Sequence, residues 1–229
     1  MQVAHSSPQT ADKTSSFLSC HSSVDQSTCS FPSKDRNIRF ISTNCNGVTS
    51  KKAELENLIS YTHPDILCIS ETKLDDSVHT SEFLPSGYAA FRKDRVRGGG
   101  WVMVAVKETL PACDIVMDDV TGEVCWVRID TKDNPLYVGS FYRTPSDRTL
   151  YQLEQLDKSL DNIAKLTRNT AGSMTVLAGD FNAGGVDWEA GVTALGTKQS
   201  SICQKELNIC VSHGVLNVGS SISHSRETL

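Results

Sequence analysis

With 229 residues and 38% hydrophobic side chains, the chain can bury one sizeable core, as expected of a single domain with a tail. A formal net charge of -5 and a pI near 5.7 argue against a protein that coats nucleic acid through bulk positive charge, so any such contact must be local. The longest apolar stretches, such as residues 101–106, are far too short to cross a bilayer, and the N-terminus lacks the apolar core of a secretory signal.

Residues 1–36 are rich in Ser and Thr and show no apolar periodicity, which reads as an unstructured leader before a domain over residues 37–229. Alternating apolar runs predict strands over 38–43, 66–70, 88–92, 101–106, 124–129, 136–142 and 174–178. A short helix after Ser50 uses Leu55, Leu58 and Ile59 and stops at His63-Pro64, because the residue before proline is pushed out of helical geometry. The clearest helix covers 149–166, where Leu150, Leu153, Leu156, Leu160, Ile163 and Leu166 line one face. A third covers 200–212, with Gly214 placed to cap it. Such a mixture implies sheets covered by helices, an α/β or α+β layered domain. The eight cysteines (Cys20, Cys29, Cys45, Cys68, Cys113, Cys125, Cys203 and Cys210) have irregular spacings without a zinc-binding pattern. They read as free thiols in a reducing, intracellular compartment, with Cys68 and Cys125 acting as small hydrophobes inside strands.

Several polar residues stand where apolar strands end, the place at which layered folds build sites from converging loops. They are Asn44-Cys45-Asn46-Gly47, Ser70-Glu71-Thr72-Lys73, Phe141-Tyr142-Arg143-Thr144-Pro145 and Gly179-Asp180-Phe181-Asn182-Ala183. One carboxylate is the minimum for holding Mg²⁺, which keeps several waters and takes other oxygens from a substrate phosphate; Glu71 and Asp180 offer two. Asn44, Asn182 and Tyr142 can donate to phosphoryl oxygens without adding negative charge. Singly, each has a plainer reading: Glu71 as a surface carboxylate, Asp180-Phe181-Asn182 as an Asx turn, Tyr142 as core or rim, and Asn46-Gly47 as a common turn pair. Arg92, Lys93, Arg95 and Arg97 precede Gly98-Gly99-Gly100 and form either a DNA-phosphate-contacting loop or a solvated turn around Asp94.

The order of these motifs resembles the endonuclease/exonuclease/phosphatase family. Asn44 with Asn46-Gly47 stands at its N-x-[DN]-G motif, Glu71 at its metal-binding Glu, Tyr142 at its Y-x-P-type strand end and Gly179-Asp180-Phe181-Asn182 at its G-D-[FLW]-N motif. The runs Ser70-Glu71-Thr72-Lys73-Leu74, Arg97-Gly98-Gly99-Gly100 and Phe141-Tyr142-Arg143-Thr144-Pro145 look like those of non-LTR retrotransposon endonuclease domains. The resemblance implies a four-layer sandwich, two central mixed β-sheets flanked by helices. It further implies an Mg²⁺- or Mn²⁺-dependent endonuclease that nicks one DNA strand to leave a 3′-hydroxyl, working in the nucleus with a reverse transcriptase domain in the parent protein.

In that reading Glu71 binds the metal with Asn44 and Asn46 in support, and Asp180 orients or deprotonates the attacking water. Asn182 and Tyr142 hold phosphate oxygens. Asn46 stands where many relatives carry Asp, so one negative charge is missing. The family's S-x-x-D-L strand and terminal S-D-H do not occur here, so the last strands are expected to be missing, and neither His213 nor His224 is promoted to catalytic histidine. A phosphatase or lipid phosphodiesterase of the same family, and a catalytically inert retroelement fragment, are the alternatives.

Overall fold

The computed structural model describes residues 29–31, 37–94, 101–147, 149–182, 184–187, 190–193 and 200–213. β-Branched and aromatic runs build a first sheet from β1 (Cys29–Phe31), β2 (Ile38–Asn44), β3 (Ile66–Ser70), β4 (Tyr88–Lys93) and β5 (Val102–Lys107), in the order β1-β2-β3-β5-β4. Helix α1 (Lys52–Thr62) carries the chain back from the end of β2 to the start of β3, so these two strands run parallel while the other neighbours are antiparallel. Its C-terminus is set by His63, which takes a left-handed φ of 47° and donates its N–H to the Ile59 carbonyl at 2.8 Å. Pro64 then bars further helix.

A second sheet repeats the arrangement with β6 (Ala112–Asp114), β7 (Val124–Asp130), β8 (Pro135–Tyr142) and β9 (Met174–Asp180), in sequence order. Helix α2 (Tyr151–Thr167) returns the chain between β8 and β9 and makes that pair parallel. The small hairpin β10 (Val186–Asp187) and β11 (Val192–Thr193) precedes α3 (Ser200–Ser212).

The two sheets pack face to face through Phe40, Ile66, Cys68 and Val104 on one side and Val127, Val138, Val176 and Ala178 on the other. Leu55 and Ile59 of α1, with Leu74 and Phe83, cover the outer face of the first sheet. Leu153, Leu156 and Leu160 of α2, with Ile202 and Ile209 of α3, cover the second. The result is the four-layer order of helix, sheet, sheet, helices implied by the family resemblance. β3 is buried along its whole length, which is why Ile66-Leu67-Cys68-Ile69 reads as a continuous apolar run rather than an alternating one.

Residues 29–31 differ from expectation: they lie in the stretch read as an unstructured leader, yet pair with Phe40, Arg39 and Ile38 of β2. A three-residue strand is too short to show periodicity, and its order comes from the edge it pairs with. The short β6, β10 and β11 escaped the sequence for the same reason. The Gly214 cap falls outside the described residues.

Tight packing is visible at Trp126, which is 1% exposed and lies over Gly139, its cross-strand partner; a Cβ at Gly139 would meet the indole ring at 2.8 Å. The indole N–H donates to Ser159 Oγ at 3.1 Å, and that hydroxyl donates to the Leu156 carbonyl at 2.8 Å, so every polar atom of the contact has a partner. Gly139→Ala is expected to destabilise the fold by roughly 1–3 kcal/mol through overpacking, as measured by urea unfolding.

Glu206 on α3 is fully buried, and neither of its carboxyl oxygens meets a hydrogen-bond partner among the described residues. Burial pushes its pKa up from 4.5 to about 8, against the opposing pull of Arg143 and with a further push from Asp180. Below the lower value the carboxyl is protonated in folded and unfolded chains alike. Above it the unfolded chain releases the proton first, so the fold loses stability as pH rises through this window. Glu206→Gln is therefore expected to raise the melting temperature by an amount that grows from about pH 5 to about pH 8; parallel pH profiles for the two proteins would contradict this.

Candidate active site

The two parallel strand pairs end together. Asn44 is in register with Ser70 in the first sheet, and Tyr142 with Asp180 in the second, so the face-to-face packing brings four strand ends to one edge of the sandwich. There the Asn44 amide Nδ2 donates to Glu71 Oε1 at 2.9 Å and to Asp180 Oδ2 at 2.8 Å, joining a carboxylate from each sheet. Its Oδ1 accepts the Asn46 N–H at 2.9 Å, which fixes the direction of the amide. The structure thus brings together Asn44, Glu71, Asp180 and Tyr142, whose hydroxyl hydrogen-bonds Glu71.

Electrostatics follow from this crowding. Burial first, and then the hydrogen bond to Glu71, push the Tyr142 phenol well above its ordinary range, so it remains a proton donor at any working pH. Burial also raises the Asp180 carboxyl above the ordinary carboxylate value; the Asn44 hydrogen bond and the Asn182 N–H oppose this, and the charge of Glu71 adds to it. A raised carboxyl is better matched to accepting a proton near neutral pH than an ordinary one.

The backbone at these strand ends is unusual. Glu71 has a φ of 51°, a conformation that costs a long side chain on the order of 1–3 kcal/mol. It is held by the turn at Asn46-Gly47, whose Gly47 N–H donates to the Glu71 carbonyl at 2.7 Å while Val48 N–H donates to Thr72 at 2.9 Å. In the second sheet Gly179 has a φ of 148°, and a Cβ there would sit 1.8 Å from the Phe141 carbonyl oxygen. Only glycine lets β9 approach β8 this closely just before Asp180. Asn182, at φ 51°, turns back so that its N–H donates to Asp180 Oδ1 at 3.1 Å.

A divalent cation can be tested against this donor set. Glu71, with Asp180 beside it, suits an ion that takes one or two protein carboxylates and completes its shell with water and phosphate. No group of three or more His, Cys, Asp or Glu among the described residues could cage a metal by protein alone. The oxygens of Asn44 and Asn46, expected as supporting ligands, are engaged in this structure, the first by a backbone N–H and the second by Lys73 Nζ.

The basic segment is divided. Arg92 donates to the carbonyls of Val78 at 2.8 Å and Asp75 at 3.0 Å, pairs with Asp94 and lies 5.7 Å over the Phe83 ring, so it braces the preceding loop against β4. Lys93 is half-buried and donates to the Val120 carbonyl at 2.8 Å. Arg95 and Arg97 lie outside the described residues.

His213 hydrogen-bonds Asp157 Oδ1 at 2.9 Å, away from the strand-end cluster, and His224 is outside the described residues. Of the cysteines, Cys45, Cys68, Cys113, Cys125, Cys203 and Cys210 are free thiols. No described helix is long and apolar enough to cross a membrane. One residue of the site was missed by sequence reasoning: Arg143, 1% exposed, turns inward and donates through Nε to the Phe181 carbonyl at 2.7 Å and through Nη2 to the Asn182 carbonyl. Its place directly after Tyr142 was visible, but nothing in the sequence says that the side chain points in.

Among solved structures, the fold is similar to that of the AP endonuclease LMAP from Leishmania major, with a TM-score of 0.58 and 19% identity over 82% of this chain and 71% of that one. It is also similar to the endonuclease domain of TRAS1, a telomere-specific non-LTR retrotransposon, with a TM-score of 0.53 and 18% identity over 80% and 74%. A third likeness is to the 3′ phosphatase NExo from Neisseria bound to product DNA hairpin, with a TM-score of 0.52 and 15% identity over 74% and 70%. No protein of curated function matches the sequence. Residues 41–214, which contain Asn44, Glu71, Tyr142, Asp180 and Asn182, match the Endonuclease/Exonuclease/phosphatase family, and the chain belongs to that family.

Proposed function

We propose that the chain is a divalent-metal-dependent DNA endonuclease of retroelement origin, which hydrolyses one phosphodiester bond of a duplex and leaves a 3′-hydroxyl. The observation that carries this reading is the Asn44 amide bonded at once to Glu71 and Asp180, one carboxylate from each sheet. Further support comes from the fold likeness to a retrotransposon endonuclease domain and to a phosphatase solved with DNA. In this reading a reverse transcriptase domain of the parent protein would extend the 3′-hydroxyl, and the nucleus would be the place of work.

Glu71 would hold Mg²⁺ or Mn²⁺, with Asn44 and Asn46 in support. Bound there, the ion supplies Lewis-acid polarisation of a phosphoryl oxygen and neutralises charge developing on it. Asp180, fixed through both carboxylate oxygens, would orient a water and accept its proton as the oxygen attacks phosphorus, while the P–O3′ bond breaks and the departing 3′-oxygen takes a proton from solvent. Tyr142 would turn its phenol O–H from Glu71 to a phosphoryl oxygen as negative charge grows there. Asn182 keeps Asp180 aligned and offers its amide to the phosphate.

The register supports a path for the DNA backbone. Lys93, Val102, Ser70 and Asn44 lie in one row across the first sheet, so β4 ends at the same edge as the site. Arg95 and Arg97 are proposed to contact phosphates, and Arg92 and Lys93, held by Asp94 and by the carbonyls of Val78, Asp75 and Val120, to add charge at longer range.

Supercoiled plasmid is expected to be nicked in Mg²⁺ and left intact in EDTA. Asp180→Asn should lower the nicking rate per folded molecule by roughly two to four orders of magnitude. Tyr142→Phe should cost about a hundredfold or more. Intact plasmid with release of phosphate from phosphoinositides would instead select the phosphatase reading, release of the sphingomyelin head group the lipid phosphodiesterase reading, and equal nicking by Asp180→Asn would reject the assigned site.

A further inference from the structure

A buried guanidinium at the floor of the site has no part in the chemistry proposed above, yet it is bonded to the segment that carries it. Arg143 makes four hydrogen bonds with residues 180–182: its N–H to the Asp180 carbonyl at 2.9 Å, Nε to Phe181 at 2.7 Å, Nη2 to Asn182, and its own carbonyl from Asn182 Nδ2 at 2.7 Å. Nη1 reaches the Asp147 carbonyl at 3.2 Å, at the entrance to α2. Burying a charge to bind carbonyls is costly, and an apolar side chain of similar size would fill the space more cheaply.

The consequence can be followed atom by atom. The guanidinium fixes the carbonyls of Phe181 and Asn182, and the chain at Asn182 is held at its left-handed φ of 51°. That turn aims the Asn182 N–H at Asp180 Oδ1, which leaves Oδ2 to meet Asn44 at 2.8 Å and, through the same amide, Glu71. We propose that Arg143 is a positioning residue of the hydrolytic site, a planar clamp that sets the rotation of the Asp180 carboxylate by gripping the two carbonyls that follow it. Lysine cannot replace it, because one ammonium has neither the reach nor the planar fork to serve three carbonyls in fixed directions. This inference rests on the reading of Asp180 and Asn182 as site residues.

The test uses Arg143→Lys, which keeps the charge, and Arg143→Gln, which keeps a donor at shorter reach and carries the comparison if the lysine variant melts before assay. Each is compared with the unaltered chain by melting temperature, by Mg²⁺-dependent nicking per folded molecule, and by the ¹⁵N side-chain amide signals of Asn44 and Asn182. Positioning predicts that kcat falls roughly a hundredfold with KM within about twofold, and that both amide signals shift. A purely structural role predicts a lower melting temperature with kcat per folded molecule within about threefold and unmoved amide signals, and would overturn the proposal. Should the unaltered chain fail to nick DNA, the endonuclease reading falls, while the amide signals still decide whether Arg143 holds the loop: unmoved signals refute it.

Discussion

A single amide nitrogen, on Asn44, connects the ends of two sheets that share no backbone hydrogen bond at that point, and it can do so only because the apolar interface behind it fixes how the sheets face each other. A side-chain hydrogen bond of this kind contributes only about 1 kcal/mol and could not by itself hold two sheets in place. The interface of Phe40, Ile66, Val104, Val127, Val138 and Val176 does the holding, and the amide reads out the result. A one-residue slip of β2 or β9 would turn Asn44 or Asp180 to the opposite face of its sheet and separate the carboxylates. Core packing and site geometry are therefore one constraint seen at two scales.

The arrangement also shows why the site is built on parallel pairs. In each sheet a helix returns the chain to the same starting edge, so β2 with β3, and β8 with β9, finish side by side. Antiparallel neighbours would send alternate strand ends to opposite edges. The strained φ of Glu71 and the close approach at Gly179 sit where both pairs stop, supported by the turn at Asn46-Gly47 on one side and by Arg143 on the other.

Much of this was legible in the residues. The strands ending at Asn44, Ser70, Tyr142 and Asp180 announce themselves as apolar runs closed by polar residues, and the leucine spacing of α2 gives its inward face from Leu153 to Ile163, while Leu166 at its end is exposed. What escaped were features decided by tertiary context. β1, β6, β10 and β11 are too short to carry a period. Arg92 and Lys93 look like free cations in the sequence, but Asp94, the carbonyls of Asp75 and Val78, and that of Val120 occupy them. Arg143 is the reverse case, a charge in the middle of a motif that folds inward because carbonyls wait there. The orientation of the Asn44 amide depends on residues 27 and 136 positions away, beyond the range of any local pattern.

Gly179 also limits how the encoding gene can vary. Every other amino acid would place carbon on top of the Phe141 oxygen, 1.8 Å away, so the codon accepts synonymous changes alone. Solvent-facing codons in the same reading frame accept changes freely.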